Sequence, residues 1–147
     1  FSIVSFSALR SLVAPYKKYA LSILRLGTGV TLMTLGLSEK ILAPEYGLNF
    51  LQDHSWNFMS ALGFTFSDFL FTISAGAVEF LFGLIFVLGI VTRLNALVVA
   101  TVFSIPLFIL GPIELAGHLP HFAAIVLLLL FGNGGHFTLF TKDRGRA

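Results

Sequence analysis

Long apolar stretches separated by short polar intervals set the pattern of the chain. They run from about residue 20 to 37, 65 to 91, 94 to 110 and 120 to 132. A helix rises about 1.5 Å per residue, so roughly 20 apolar residues cross the ~30 Å hydrocarbon core of a bilayer. The last stretch is short by this measure. The pattern predicts an all-α integral membrane protein, a four-helix bundle that forms a single transmembrane domain over residues 1–147.

The polar segments predict further helices at the membrane surface. Residues 1–19 combine apolar and basic positions, are broken by Pro15 and are too short to span, which is typical of an interfacial helix. Residues 38–64 form the longest polar interval, and apolar positions at helical spacing within it predict a loop with a short amphipathic helix. Trp56 and Tyr46 are the aromatic residues expected to anchor this helix at the water boundary.

A short loop and a tail complete the predicted organisation. Residues 111–119 are predicted to be a loop before the fourth span, with Pro120 at the first position of that helix, where proline is favoured. Residues 133–147 form a tail that is first rich in glycine and then basic. Because the chain begins with Phe1 and not with methionine, we expect residues to precede it.

The composition agrees with a membrane protein. Of the 147 residues, 56% are hydrophobic and 11% are charged, and the mean hydropathy is +0.94. A soluble domain of this size cannot bury so much apolar surface. The sequence has no cysteine, which excludes disulfides and thiolate-ligated zinc or iron–sulfur centres. The net charge of +2 is too small to indicate nucleic-acid binding, so we expect the lipid bilayer and not nucleic acid as a partner.

Basic residues lie mostly on one side of the predicted bundle. The N-terminal segment, the tight turn at Arg93 and the tail contain most of the lysines and arginines, whereas the two opposite loops contain only Lys40. Positive residues concentrate on the cytoplasmic side of membrane proteins. We therefore expect both termini in the cytoplasm. The membrane is expected to be a bacterial inner membrane.

Two opposite charges lie within the predicted spans. Arg25 and Glu79 each lie on a helix face of small and polar residues, and both are predicted to lie roughly 20 Å below the outer surface. A charge at this depth costs at least about 2.5 kcal/mol, so it is expected to face the protein interior and to have a partner. We predict that Arg25 and Glu79 form a buried ion pair. A pair that only fixes helix register and a pair with a functional role are equally well supported.

A second set of polar residues is predicted near the outer face. His118 and His121 have a spacing that places two imidazoles side by side on a helix, as metal, haem and quinone sites require. In the alternative interpretation, one histidine caps the helix and the other hydrogen-bonds in the headgroup zone. With Lys40 they form a candidate quinone or substrate pocket, and no metal site is predicted. Asp68, on the same helix face as Glu79, is predicted to face inward, and these two carboxylates are the candidate catalytic groups.

Four stretches of the chain carry motifs of a known family. They read LRLGTGVTLMTLGLSEKIL in the first span, AGAVEFLFGLIFVLGIVTRLNAL in the second, GHLPH before the fourth, and FGNGGHFTLFTKD at the end. This combination resembles the DoxX-like family of small four-helix membrane proteins. The positions that match the family's motifs are Arg25, Gly36, Lys40, Glu79, Gly83, Gly89, Arg93 and His118. The closing motif of the family has a small polar residue followed by Leu and Asp, whereas this chain reads FTLF at residues 137–140, so no role is carried over for that Asp.

The resemblance implies a four-helix bundle and a link to redox complexes, since members include the membrane subunit of thiosulfate:quinone oxidoreductase. In one hypothesis the chain is a quinone-interacting oxidoreductase component, in which His118 or His121 binds a quinone carbonyl and Asp68 or Glu79 exchanges protons. In the other it is a non-catalytic accessory or membrane-anchor subunit that docks onto other membrane or redox subunits. We favour the second because the sequence contains no redox centre. A third hypothesis is a small proton or solute pathway along Asp68, Thr72 and Glu79.

Overall fold

A computed structural model of the chain describes residues 16–110 and 112–139, and all regular structure in this part is helical. The α-helices, in chain order, are α1 (Lys17–Leu35), α2 (Glu45–His54), α3 (Phe58–Ala61), α4 (Asp68–Leu88), α5 (Thr92–Leu110) and α6 (Pro112–Phe131). A π-helical turn, Gly36–Ile41, continues α1. The all-α class is therefore confirmed for the described residues. Most of the predicted interfacial segment 1–19, and the end of the basic tail, lie outside them.

Two helices in the described part have the length and apolar composition needed to cross a membrane. They are the continuous helix Lys17–Ile41, with 25 residues, and α4, with 21. Both lie where the first and second spans are predicted. The apolar stretches of α5 and α6 are shorter, Thr92–Ile105 and His118–Phe131. The third and fourth spans, and with them the four-helix membrane bundle, stay predictions.

The described residues fall into two compact units, of which the first comprises residues 27–87. Within this unit the second half of α1 is in close contact with α4. A Cβ atom built on Gly29 would lie 2.6 Å from the carbonyl oxygen of Gly83, and one built on Gly36 would lie 2.6 Å from that of Gly76. The contact moves backwards along α4 as it advances along α1, so the helices are antiparallel. Any larger residue would clash, so glycine allows the two backbones to touch.

The chain between these two helices contains a helix where the apolar spacing predicts one. This helix, α2, buries Leu51 and contacts the π-helical turn. Gly47 of α2 packs on α4, since a Cβ atom at Gly47 would lie 2.5 Å from the Thr72 Cγ2. Tyr46 is exposed and Trp56 is half-buried. The position of α2 at the membrane surface stays a prediction.

The second unit comprises the described residues before residue 27 and after residue 87. In it α5 and α6 pack side by side. Their buried apolar side chains include Ala96, Val99, Ile125 and Leu128. After α6, Gly132 and Gly134 adopt positive φ angles of 82° and 76° and turn the chain. The N–H of Leu139 then donates to the carbonyl oxygen of Leu88, which ties the closing segment to the end of α4.

Helix α6 begins earlier than the sequence predicts. It starts at Pro112 and contains Pro120 in its interior. The predictions of a loop up to residue 119 and of a helix start at Pro120 are therefore wrong. A proline inside a helix removes one hydrogen bond, yet membrane helices tolerate this loss because neighbouring groups satisfy the freed carbonyl. Pro112 takes the first helical position, which is the position that proline favours.

Candidate functional site

The buried carboxylate of α4 is paired with a lysine of the same unit. The Nζ atom of Lys40 donates to Oε2 of Glu79 at 2.5 Å. The Lys40 side chain keeps 32% of its surface exposed, whereas that of Glu79 keeps 11%. An unpaired charge on a membrane helix is costly, so Lys40 supplies the partner that Glu79 is predicted to need.

Lys40 reaches Glu79 from the π-helical turn that follows α1. At this turn the N–H of Leu42 donates to the carbonyl of Leu37, five residues earlier, whereas an α-helix spans four. Gly76 of α4 makes room for the lysine, since a Cβ atom built there would lie 2.7 Å from the Lys40 Cβ. The wide turn and the glycine together place the ammonium group beside the carboxylate.

The predicted polar face of α4 is buried only in part. Thr72 is 3% exposed, and its Oγ1 has no hydrogen-bond partner among the described residues. Asp68 is exposed at the first residue of α4 and accepts a hydrogen bond from Asn57 Nδ2 at 2.9 Å. The prediction that Asp68 faces inward is therefore wrong, because Asn57 binds it at the helix start, where the dipole favours a carboxylate. Its role as a candidate catalytic group stays a prediction.

In the second unit, Arg25 is fully buried and binds the segment that follows α6. Its Nη2 donates to the carbonyl oxygens of Phe137 at 2.6 Å and His136 at 3.2 Å. Gly89, with a φ of 71°, lies against the guanidinium, since a Cβ atom there would lie 2.5 Å from Nη1. Ser22, also fully buried, accepts from the N–H of His136 at 3.3 Å. Buried polar groups of α1 thus fix the conformation of the closing segment.

Each of Arg25 and Glu79 thus has partners within its own unit. The ion pair between them stays a prediction. The sequence contains a signal for the observed pairing, because Lys40 follows Arg25 by 15 residues and would lie about 60° from it around a continuous helix. It contains no signal for the carbonyl groups of His136 and Phe137, because every residue has a carbonyl.

His118 and His121 lie beside an aromatic ring of the same unit. Both are on α6, and the Phe103 ring of α5 lies 6.1 Å from the His118 ring and 6.5 Å from the His121 ring, centre to centre. The Nδ1 atom of His121 is buried without a hydrogen-bond partner in the described part of the chain. Lys40, the third member of the predicted pocket, belongs to the other unit and binds Glu79 there. Within residues 16–110 and 112–139, no group of three or more His, Asp or Glu side chains is arranged to bind a metal ion.

Comparison with known proteins identifies a family. A family model described as DoxX matches residues 20–111. No curated protein and no solved structure matches the chain. The matched region is more than half of the 147 residues, contains Lys40 and Glu79, and ends before His118 and His121. The resemblance that the motifs indicate is confirmed, and the Lys40–Glu79 pair is the candidate site within the matched region.

Proposed function

The chain belongs to the DoxX family, and from this premise we propose that it is an accessory membrane subunit that anchors a quinone-linked redox complex. The family and the two long apolar helices indicate a small membrane protein in contact with lipid. The observation that carries the proposal is the ion pair between Lys40 and Glu79. In this function the buried charges hold the helices together, and the apolar helix faces contact lipid and partner subunits.

The ion pair supports an assembly role for Glu79. A carboxylate that exchanges protons in a reaction has to change its charge and be reachable by substrate or water. Glu79 is only 9% exposed, and its protonation would leave the Lys40 ammonium without a counter-charge. Removing one member of a buried pair is strongly destabilising, so the pair is better suited to fixing the packing of two helices than to chemistry.

In this function another subunit supplies the electrons. The sequence has no cysteine, so a cysteine-ligated iron–sulfur cluster would have to lie in a partner. Helix faces available to lipid or to such a partner include exposed leucines, among them Leu81 at 52%, Leu97 at 52% and Leu130 at 60%.

The anchor function is tested on the complex extracted from its native membrane. A tagged chain in mild detergent is expected to carry a redox subunit in fixed ratio, with quinone-reductase activity in the same fraction. Glu79→Gln is expected to lower the amount of complex and the activity by the same factor, so that activity per complex is unchanged. Activity lost at full assembly, or a chain that migrates without a partner, would contradict the anchor function.

The proposal includes four spans in a bacterial inner membrane, with both termini in the cytoplasm. The distribution of Lys and Arg supports this orientation. Because the sequence has no cysteine, single cysteines are labelled without background. Gln52 and Leu139 are exposed, so a membrane-impermeant maleimide is expected to label Gln52→Cys in spheroplasts, and Leu139→Cys only after permeabilisation. The reverse result would overturn the orientation.

A second candidate function is that the chain binds the quinone itself. The Nδ1 atom of His121 favours it, because it is buried beside the Phe103 ring and has no hydrogen-bond partner among the described residues. An imidazole N–H can donate to a quinone carbonyl, while an aromatic side chain packs against the quinone ring. Asp68 or Glu79 would then exchange the protons.

Quinone extraction separates the two candidates. If the chain binds quinone, solvent extraction of the purified protein followed by chromatography is expected to yield quinone near one per chain, and His121→Ala to remove most of it. His54→Ala is the matched control, because His54 is exposed and contacts Phe50. A folded chain without quinone would exclude this function.

The proton or solute pathway is supported only by Thr72, whose buried Oγ1 is unpartnered among the described residues. Proton flux into liposomes that contain the purified chain, abolished by Thr72→Val, would favour it. Absence of flux in liposomes with folded chain would exclude a proton pathway.

A further inference from the structure

A groove of about 480 Å³ lies at the helix ends of the second unit. It is lined by the connection between α4 and α5, the start of α5 and the end of α6. Its polar lining residues are Thr92, Arg93 and Asn133, and the lining residues include neither Asp nor Glu. From this geometry we propose that the groove binds a phosphate group, namely the headgroup phosphate of an anionic phospholipid. The site requires a membrane position but does not depend on the redox function.

Arg93 supplies the positive charge of the groove. Its Nη2 donates to the carbonyl oxygen of Leu130 at 3.2 Å, which orients the guanidinium at the end of α6. Gly132, with a φ of 82°, leaves space there, since a Cβ atom on it would lie 3.5 Å from the Arg93 Nε. The planar guanidinium fork matches the geometry of phosphate oxygens.

The start of α5 also favours an anion in this groove. The first N–H groups of a helix have no partner within the helix, and the helix dipole adds positive potential there. The connection before it is sharply bent, because Gly89 and Val91 have φ angles of 71° and 41°. A positive φ is strained for a β-branched residue such as Val91, and strain of this kind clusters at binding sites.

The side chain of Thr92 indicates a ligand independently of Arg93 and of the helix start. It lines the groove and is 5% exposed, yet its Oγ1 has no hydrogen-bond partner among the residues that the structure describes. Buried hydroxyl groups are nearly always hydrogen-bonded. Rotation of the Thr92 side chain about χ1 would present this hydroxyl to the groove, where a phosphate oxygen would accept its hydrogen bond.

The rim of the groove favours a lipid over a soluble phosphate. Val91, Leu94 and Phe131 line the groove and are exposed at 62%, 61% and 64%. A cationic centre with an apolar rim, at the end of membrane helices, matches a phospholipid whose acyl chains run along those helices. In the proposed orientation the groove faces the cytoplasmic leaflet, where anionic lipids attract basic residues.

Native mass spectrometry of the purified full chain tests the site. Phosphatidylglycerol and phosphatidylcholine with the same acyl chains are titrated in parallel, and we expect a preference for phosphatidylglycerol. Arg93→Gln is expected to weaken phosphatidylglycerol binding about tenfold, and Thr92→Val about threefold. Lys18→Gln is the matched control, because it removes an exposed cation outside the groove, and its effect is expected to stay under about twofold.

Each other outcome counts against the proposal. Equal binding of the two lipids would overturn it, because the groove would then not recognise an anionic headgroup. Equal effects of Lys18→Gln and Arg93→Gln would also overturn it, because the net charge of the chain, and not the groove, would then retain the lipid. Calorimetric binding of inorganic phosphate that Arg93→Gln and Thr92→Val abolish would assign the groove to a soluble ligand and overturn the lipid assignment. Thermal unfolding in detergent verifies that each variant is folded. Should Arg93→Gln fail to fold, Thr92→Val decides, together with Arg93→Lys, for which we expect about threefold weaker binding.

Discussion

Glu79 and Arg25, the buried charges of the two long apolar helices, bind different kinds of group among the described residues. Glu79 binds a lysine side chain that keeps 32% of its surface exposed. Arg25 has no exposed surface and binds the carbonyl oxygens of Phe137 and His136. A side chain such as that of Lys40 can rotate towards water, whereas a backbone carbonyl cannot move without the chain. Arg25 should therefore contribute more to stability than the ion pair does.

The largest effect is expected from Arg25→Met. The substitution leaves the two carbonyl groups without their charged donor, and each such hydrogen bond contributes roughly 2 kcal/mol, so we expect a loss of about 4 kcal/mol in the free energy of unfolding. The measurement is unfolding by SDS titration in mixed micelles, followed by circular dichroism. Arg25→Lys keeps the positive charge but not the forked guanidinium group, so we expect it to lose about half as much free energy of unfolding as Arg25→Met. A loss below about 1 kcal/mol for Arg25→Met would contradict the comparison.

A smaller effect, about 2.5 kcal/mol, is expected from Glu79→Gln, because Lys40 retains access to water when its counter-charge is removed. The double variant with Lys40→Met is expected to recover more than half of that loss, since no unpaired charge remains. The same SDS titration of the two single variants and the double variant measures the coupling. Strictly additive losses would show that the two groups do not interact.

We expect the close contact between Gly36 and Gly76, beside the ion pair, to contribute about 2 kcal/mol to the free energy of unfolding. Gly36→Ala places a Cβ atom 2.6 Å from the Gly76 carbonyl oxygen and forces α1 and α4 apart. Gly27→Ala, on the same helix, is the matched control because nothing lies within 4 Å of its Cβ position. The control should lose no stability, since alanine favours the helix. Equal effects of the two substitutions would remove the close contact as an explanation.

The smallest effect, about 1 kcal/mol, is expected from Ser22→Ala, which removes neutral hydrogen bonds to Asn133 and His136. The exposed Thr31, whose hydroxyl donates to the Gly27 carbonyl within its own helix, is the control. Thr31→Ala should be neutral within about 0.5 kcal/mol. A loss from Ser22→Ala as large as that from Arg25→Met would mean that the hydroxyl, and not the charge, anchors the closing segment.

The long helices could be predicted because their apolar runs exceed what a soluble protein can bury. The start of α6 could not be predicted in the same way. Pro112 and Pro120 both fit a first helical position by local preference, and only tertiary and lipid surroundings decide which proline is tolerated inside a helix.

The need of Glu79 for a partner also follows from the sequence, but the identity of that partner does not. The predicted depths of Arg25 and Glu79 in the membrane are each counted from the end of a predicted span. A span end is defined from sequence only to within several residues, and the two errors add when the helices are antiparallel. In the structure the contact of Gly36 with Gly76 sets the register, and the π-helical turn brings Lys40 to Glu79. A pattern of side chains along the sequence can indicate at best which side chains form a pair. The backbone carbonyl partners of Arg25 could therefore not be predicted from it.

The π-helical turn Gly36–Ile41 makes the ion pair depend on the width of the helix at this point. A π turn accommodates one residue more than an α turn. If the same residues formed an ordinary α-helix, the chain after the turn would rotate by up to about 100° around the helix axis, and Lys40 would turn away from Glu79 with every charged residue still in the sequence. Deleting an exposed residue there, such as Leu37, would remove the extra residue together with the wide turn and leave Lys40 on nearly the same side of the helix. Evolution can therefore shorten the chain by one codon at this turn and keep the contact.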